Sequence, residues 1–212
     1  MSESFREVRK EVLEALQQAH KRDYETAVKI LYAGIESGSA EGEELAVLYS
    51  TLAMIQKKQG KLDQAWTTYQ LAEQAAPDDP VLKVITARFL LNERRQYDQA
   101  IKRARLILKE AKDVPSLSHQ AYTIIGLAYF RKGQQKKALE MLETAMSNNF
   151  SGMVSAENID FNLVEALVRE QTALAQCQAY LRAACNLARQ QREYKALTVF
   201  QKVLDSFEQK TA

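Results

Sequence analysis

The sequence has few of the residues that interrupt helices. Its 212 residues include seven Gly and three Pro, and all three Pro fall at predicted junctions between helices. So few turn-forming residues leave little material for β-turns, whereas Ala, Leu, Gln, Glu, Lys and Arg, which are frequent here, favour helix. The composition therefore predicts an all-α chain long enough to bury a core.

Residues and motifs that carry catalysis are also scarce. There is no glycine-rich phosphate loop, no Cys/His cluster with metal-ligand spacing and no nucleophile elbow. His20 falls in a predicted turn and His119 at a helix start, too far apart in sequence to propose a pair. Cys177 and Cys185 lie eight residues apart in a helical pattern and are predicted to be buried thiols. We therefore expect a non-enzymatic protein with no cofactor and no metal.

An excess of one charge and a long apolar run are both missing. Lys and Arg total 29 and Asp and Glu total 27, so the net charge of +2 favours no particular partner. No apolar run approaches the roughly 18 residues of a membrane span, and residues 1–6 lack the apolar core of a signal peptide. The sequence thus predicts a soluble cytoplasmic protein without membrane contact.

A pattern over residues 46–77 organises the chain. Small side chains at Ala53, Ala65 and Ala72 would let two antiparallel helices approach closely, and Gly60 falls in the turn between them. Larger residues at the intervening positions fill the space between the helices: Tyr49, Leu52 and Tyr69. This window predicts one complete helix–turn–helix unit.

The same spacing recurs along the chain. A second clean copy begins at His119, with Gly126 at the close contact and Gly133 in the turn. Between the two copies, Asp79 is predicted to cap a helix that starts at Pro80, and one extra residue is predicted in the turn at residues 93–96. The spacing resembles the tetratricopeptide repeat, whose period is about 34 residues. That resemblance implies a right-handed α-solenoid of antiparallel helix pairs.

We predict a single domain over residues 1–212. It comprises a degenerate N-terminal repeat, three central repeats and C-terminal capping helices that could also form a degenerate repeat: 8–36; 46–77, 80–112 and 119–150; and 156–208. Residues 156–190 contain neither Gly nor Pro, so they form either one long helix or two helices that meet near residues 171–172. Their apolar side chains could cap the last pair, fill the groove or contact a second copy in a homodimer.

The resemblance implies a concave groove, lined by the first helix of each pair, that binds a peptide or amphipathic helix of another protein. The positions expected to contact this partner are Val47, Ser50, Thr51, Met54, Ile85, Phe89, Thr123, Leu127 and Phe130. In the third pair the frame can shift by one residue, to Val81, Val84, Ile85 and Arg88. Alternatively, several of these side chains face the C-terminal helices instead of a partner.

The predicted function is a protein–protein interaction scaffold, an adaptor or a chaperone-like module. The resemblance does not extend to the carboxylate clamp that binds chaperone tails, because neither possible frame places a cation or Asn at the clamp positions; one frame holds Ser50, Met54, Thr86, Gln120 and Ile124. The alternative function is binding of nucleic acid or an acidic surface through basic residues at the repeat turns: Lys57–Lys58, Arg94–Arg95, Arg131–Lys132 and Lys136–Lys137. The balanced charge and the lack of interleaved aromatic residues weigh against nucleic acid.

Overall fold

The structure is a computed structural model that describes residues 3–111 and 113–211. All regular secondary structure in these two ranges is helical, with no β-strand. The predicted all-α architecture of helix pairs is therefore confirmed. The chain forms two compact units, Met1–Phe89 and Leu90–Ala212.

The first unit contains two complete helix pairs. Helices α1 and α2 span Glu3–His20 and Tyr24–Glu36, and helices α3 and α4 span Gly42–Lys58 and Leu62–Ala75. Each pair packs side by side across a turn of three residues, which makes the partners antiparallel. Helix α5, Pro80–Asn92, begins in this unit, and the Asp79 carboxylate accepts hydrogen bonds from the N–H groups of Val81 and Leu82, as the predicted cap requires.

The second unit contains the remaining helices. Helices α6, α7 and α8 span Tyr97–Glu110, Pro115–Arg131 and Gln135–Ala145, followed by the short helix α9, Ser147–Phe150, and a 3₁₀ turn, Ala156–Asn158. Helices α10, α11 and α12 span Asn162–Arg169, Leu174–Gln190 and Tyr194–Thr211. The C-terminal region therefore contains two helices between residues 162 and 190, separated at 170–173.

Five turns between paired helices share one backbone feature. In each, the residue two positions before the next helix has a positive φ: Arg22 66°, Gly60 78°, Arg95 54°, Gly133 73° and Arg192 60°. A left-handed residue here ends a helix and allows the chain to reverse. Glycine fills the position in the two copies that the sequence shows most clearly, and arginine fills it in the other three.

The turn between α5 and α6 is wider than the others. After α3, the N–H of Lys61 donates to the carbonyl of Gln56, five residues earlier. After α5, the N–H of Gln96 donates to the carbonyl of Leu90, six residues earlier. The extra residue predicted at 93–96 is therefore present.

The extra residue decides which face of α5 is buried. Because it lies in the turn, the frame of α5 is counted from Ala87 at the close contact, which makes Val81, Val84, Ile85 and Arg88 the outward positions. Val81 is exposed and Ile85 and Arg88 are half-buried, whereas Val84 is buried. Phe89 is then turned inward, where its ring lies 5.9 Å from that of Trp66 and 5.3 Å from that of Tyr69. Apart from Val84, the accessibility of these side chains therefore follows the shifted frame for this helix.

Helix α10 packs against α7 at Gly126. A Cβ atom at this glycine would lie 2.5 Å from Leu163 Cδ2, on α10, and 3.0 Å from Met141 Cβ, on α8. Both distances are shorter than van der Waals contact, so the absent side chain allows three helices to meet at one point. Gly34, in α2, provides a matched comparison, because an added Cβ there would meet only the movable carboxylate of Glu11.

We expect Gly126→Ala to lower the free energy of unfolding by about 1–2 kcal/mol, and Gly126→Leu to lower it further, because overpacking strains neighbouring helices. Gly34→Ala should leave stability unchanged or raise it by up to about 1 kcal/mol, since alanine favours helix. Urea unfolding followed by circular dichroism measures both. Equal stabilities for the two alanine variants would contradict the assigned contact at Gly126.

Candidate partner-binding site

The first unit contains a cavity of about 540 Å³ between α1 and the start of α3. Val8 and Val12, four residues apart on α1, share one face and line it together with Val47 of α3. Charged side chains surround these valines: Arg9, Glu41, Glu43 and Glu44. The site is therefore an apolar depression with a mostly acidic edge.

The acidic edge follows from how α3 begins. Glu43 and Glu44 lie in its first turn, where the positive end of the helix dipole favours negative charge. The same residues that favour the helix start also place negative charge beside the cavity. A ligand for this site would gain from an apolar side chain with cations on either side.

Four predicted contact residues lie on α3. Val47 lines the cavity and is 44% exposed, which makes it available to a partner. Ser50 and Thr51 are half-buried, and their hydroxyls donate to the carbonyl of Val47 at 3.1 and 2.8 Å. Met54 is half-buried and packs against the core formed with α1 and α2.

The two predicted residues on α5 differ in accessibility. Ile85 is half-buried and packs against the cluster that contains Ala46, Ala72 and Leu82. Phe89 is buried with Trp66 and Tyr69. Its side chain is covered because the extra residue in the turn after α5 shifts the frame of this helix and turns Phe89 inward.

The predicted residues on α7 lie in the second unit. Thr123 and Leu127 are buried, and the Thr123 hydroxyl donates to the carbonyl of His119 at 3.1 Å. Phe130 is half-buried. The first two side chains are covered within the second unit, as expected if this part of α7 faces the C-terminal helices.

His119, Asp160 and Tyr180 meet in the core of the second unit, although up to 61 residues separate them. The N–H of Asp160 donates to His119 Nε2 at 2.8 Å, and His119 Nδ1 lies 3.0 Å from the carbonyl of Ala145. Nε2 is thus the acceptor and Nδ1 carries the proton, so the ring is neutral. The Tyr180 hydroxyl donates to the carbonyl of Asp160 at 2.7 Å.

These three residues resemble a catalytic set by type but not by arrangement. All three are buried, Asp160 contributes its backbone N–H and carbonyl, and the Tyr180 hydroxyl also lies 3.3 Å from His119 Nε2. Phe150 and Phe161 pack edge-on against the Tyr180 ring at 5.1 and 5.8 Å. Burial, with the nearby Asp160 carboxylate, holds the pKa of Tyr180 well above its ordinary value. The cluster joins the C-terminal segment to α7 in the buried core of the second unit.

The two thiols are buried and free. Burial raises the pKa of Cys177 to about 11, and it also raises the pKa of Cys185. Neutral thiols are poor nucleophiles, so neither cysteine is prepared for catalysis. The predicted buried thiols are confirmed.

Several cations at the repeat turns already have partners inside the second unit. Arg131 donates to the carbonyl of Leu91 and to Asn92 Oδ1, both at 2.9 Å. Lys132 pairs with Asp98, and Lys137 lies 5.3 Å from the centre of the Tyr129 ring. These internal contacts reduce the positive charge available to a phosphate backbone.

Within residues 3–111 and 113–211, no group of three or more His, Cys, Asp or Glu side chains is placed to hold a metal ion. No helix in these ranges combines the length and apolar character needed to cross a membrane.

Residues 119–151 match the family model of the tetratricopeptide repeat, which confirms the resemblance predicted from spacing. No curated protein sequence matches the chain significantly. Among solved structures, PilF of Pseudomonas aeruginosa is similar with a TM-score of 0.62 at 14% identity, over 97% of this chain and 93% of that one. PilW, a type IV pilus biogenesis factor, has a TM-score of 0.61 at 14% identity, with 94% and 92% covered. A tetratricopeptide protein of Thermus thermophilus has a TM-score of 0.61 at 14% identity, with 93% and 98% covered. At this identity the likenesses show the fold.

We expect Tyr180→Phe to lower the free energy of unfolding by about 1–3 kcal/mol, because it removes the buried hydrogen bond that the hydroxyl donates to the carbonyl of Asp160. Tyr122→Phe is the matched control, since Tyr122 is half-buried on the same unit. Urea unfolding followed by circular dichroism compares the two. A Tyr180→Phe variant as stable as wild type would show that the hydroxyl does not hold the cluster together.

We expect Cys177 to react with a disulfide reagent at pH 8 about 100-fold more slowly in the folded chain than in urea, because a pKa of about 11 leaves little thiolate. The Cys185→Ala variant isolates this thiol, since the chain contains two cysteines. Absorbance of the released chromophore gives both rates. Equal rates in the folded and unfolded protein would contradict burial of Cys177.

Proposed function

We propose that this tetratricopeptide-repeat protein is a non-enzymatic interaction module, an adaptor or chaperone-like scaffold that binds a helix or extended segment of another protein. The observation that carries the proposal is the open apolar cavity between α1 and α3, lined by Val8, Val12 and Val47. A cytoplasmic location, predicted from the sequence, belongs to the same proposal.

The chemistry of the cavity defines the partner segment. Its valines suit one or two apolar side chains, each worth about 1.5–3 kcal/mol when fully buried. Its edge carries three glutamates and one arginine. The partner would therefore present Lys or Arg on both sides of an apolar residue, which favours the correct segment by charge as well as by shape.

The other predicted contact positions that are not buried are Ser50, Thr51, Met54 and Ile85 within the first unit and Phe130 within the second, and all five are half-buried. Phe89, Thr123 and Leu127 are buried, so the proposal does not depend on them. The half-buried hydroxyls of Ser50 and Thr51 already bond to the helix backbone and contribute shape more than hydrogen bonds.

Binding of nucleic acid is the less favoured alternative. Phosphate recognition depends on several accessible cations, and each phosphate contact adds to the salt dependence of binding. Here Arg131 and Lys132 are held by groups of the second unit, and the net charge is only +2. The apolar cavity supports a protein partner better than a polyanion.

We expect Val47→Glu to abolish capture of the partner, because a carboxylate would enter an apolar site already edged by glutamates. Leu71→Glu is the matched control: Leu71 is 38% exposed on α4 and does not line the cavity. The measurement is capture from a nuclease-treated native lysate by immobilised full-length protein, quantified by mass spectrometry.

The proposal requires at least one protein that wild type and Leu71→Glu retain and Val47→Glu loses. The retained interaction should survive moderate salt, whereas phosphate binding would weaken by orders of magnitude between low and physiological salt. If all three baits retain the same proteins, the cavity is not the binding site. Capture that disappears after nuclease treatment would favour nucleic acid instead.

A further inference from the structure

A second apolar groove lies at the C-terminal end of the second unit, separate from the cavity of the proposed function. It has a volume of about 430 Å³. Val164 and Val168 of α10 line one wall, and Val199 and Val203 of α12 line the other, with Leu181 of α11 between them. The groove is formed entirely by residues of one unit.

The wall formed by α12 is apolar but unusually exposed to solvent. Val199 and Val203 lie four residues apart on one face of the helix and are 58% and 45% exposed. The last helix of a repeat array ordinarily has a polar outer face, because no further repeat covers it. An exposed valine pair beside an apolar groove is instead typical of a surface that another molecule covers.

The charges beside the groove indicate which molecule covers it. Glu165 lies on α10 next to Val164, and Lys202 lies on α12 next to Val203. Both are exposed, and neither side chain has a hydrogen bond or ion pair to another residue in ranges 3–111 and 113–211. An occupant would therefore gain by placing a base beside Glu165 and an acid beside Lys202.

A second copy of this chain, turned through a two-fold axis, meets both requirements. In a two-fold interface the same patch faces itself, so Glu165 of each copy can face Lys202 of the other, and each valine pair can enter the opposite groove. Helix α12 has 18 residues and is about 27 Å long, enough for an extended helix–helix contact. The net charge of +2 opposes such pairing only weakly.

We propose that the protein forms a symmetric homodimer through the α10–α12 groove, with two reciprocal Glu165–Lys202 pairs. This inference does not rest on the proposed function, since no residue of the groove lines the cavity between α1 and α3. It identifies a second copy of this chain, and not an unrelated helix, as the molecule that covers the exposed face of α12.

Charge reversal tests the pairing. Sedimentation velocity of the full chain from about 1 to 200 μM should show wild type at twice the monomer mass. Glu165→Lys alone and Lys202→Glu alone should each raise the dissociation constant about tenfold or more, because both reciprocal pairs become repulsive. An equimolar mixture of the two variants should recover dimers, because each interface then again contains two pairs of opposite charge.

Matched controls separate the groove from general charge effects. Glu140→Lys and Lys136→Glu make the same changes at exposed positions on α8 and should leave the dissociation constant unchanged. Recovery on mixing also requires both variants to be folded, so it excludes misfolding as the cause of dissociation. Wild type that stays monomeric at 200 μM, or a mixture no tighter than its components, would overturn the proposal and leave the groove to a different partner.

Discussion

The close approach of neighbouring helices at small side chains is the constraint on which the rest of the structure depends. Ala53, Ala65 and Ala72 have no exposed surface in the first unit, and Gly126 occupies the corresponding contact in the second. Because the backbones come so near, larger residues pack in the spaces on either side and the partner helices need only short turns. A side chain placed for one repeat frame therefore does not fit a frame shifted by one residue. A single extra residue in a turn consequently changes which face of a helix is buried.

The sequence predicted the parts of the fold that depend on local spacing. The two clean copies, the glycines at 60 and 133, the Asp79 cap and the wider turn before Tyr97 are all recognisable from residue type and distance along the chain. It did not predict that Arg95 would adopt the left-handed conformation, because glycine is the residue that normally marks it. Nor could it predict the cluster of His119 and Tyr180, whose contact joins residues 61 positions apart without any repeat spacing.

The candidate site was predicted less completely, for two physical reasons. Val8 and Val12 were not among the expected contacts because the first repeat is degenerate, although their four-residue spacing on α1 is the signal that identifies them. Thr123 and Leu127 occupy groove positions by spacing but are buried within the second unit. Spacing shows which residues share a helix face, whereas accessibility depends on segments that pack there from far along the chain.

The two open apolar sites differ in charge, and that difference implies different occupants. The cavity between α1 and α3 has three glutamates and one arginine at its edge, so a second copy of the same site would meet it with like charge. The groove between α10 and α12 has one glutamate and one lysine on opposite walls, an arrangement that a two-fold rotation makes complementary to itself. Like-charge contact costs far more than loss of one surface ion pair, so charge excludes self-pairing at the first site more strongly than it stabilises pairing at the second. The apolar side chains provide the attraction at both sites, and the charges beside them select a foreign basic segment at one and a second copy at the other.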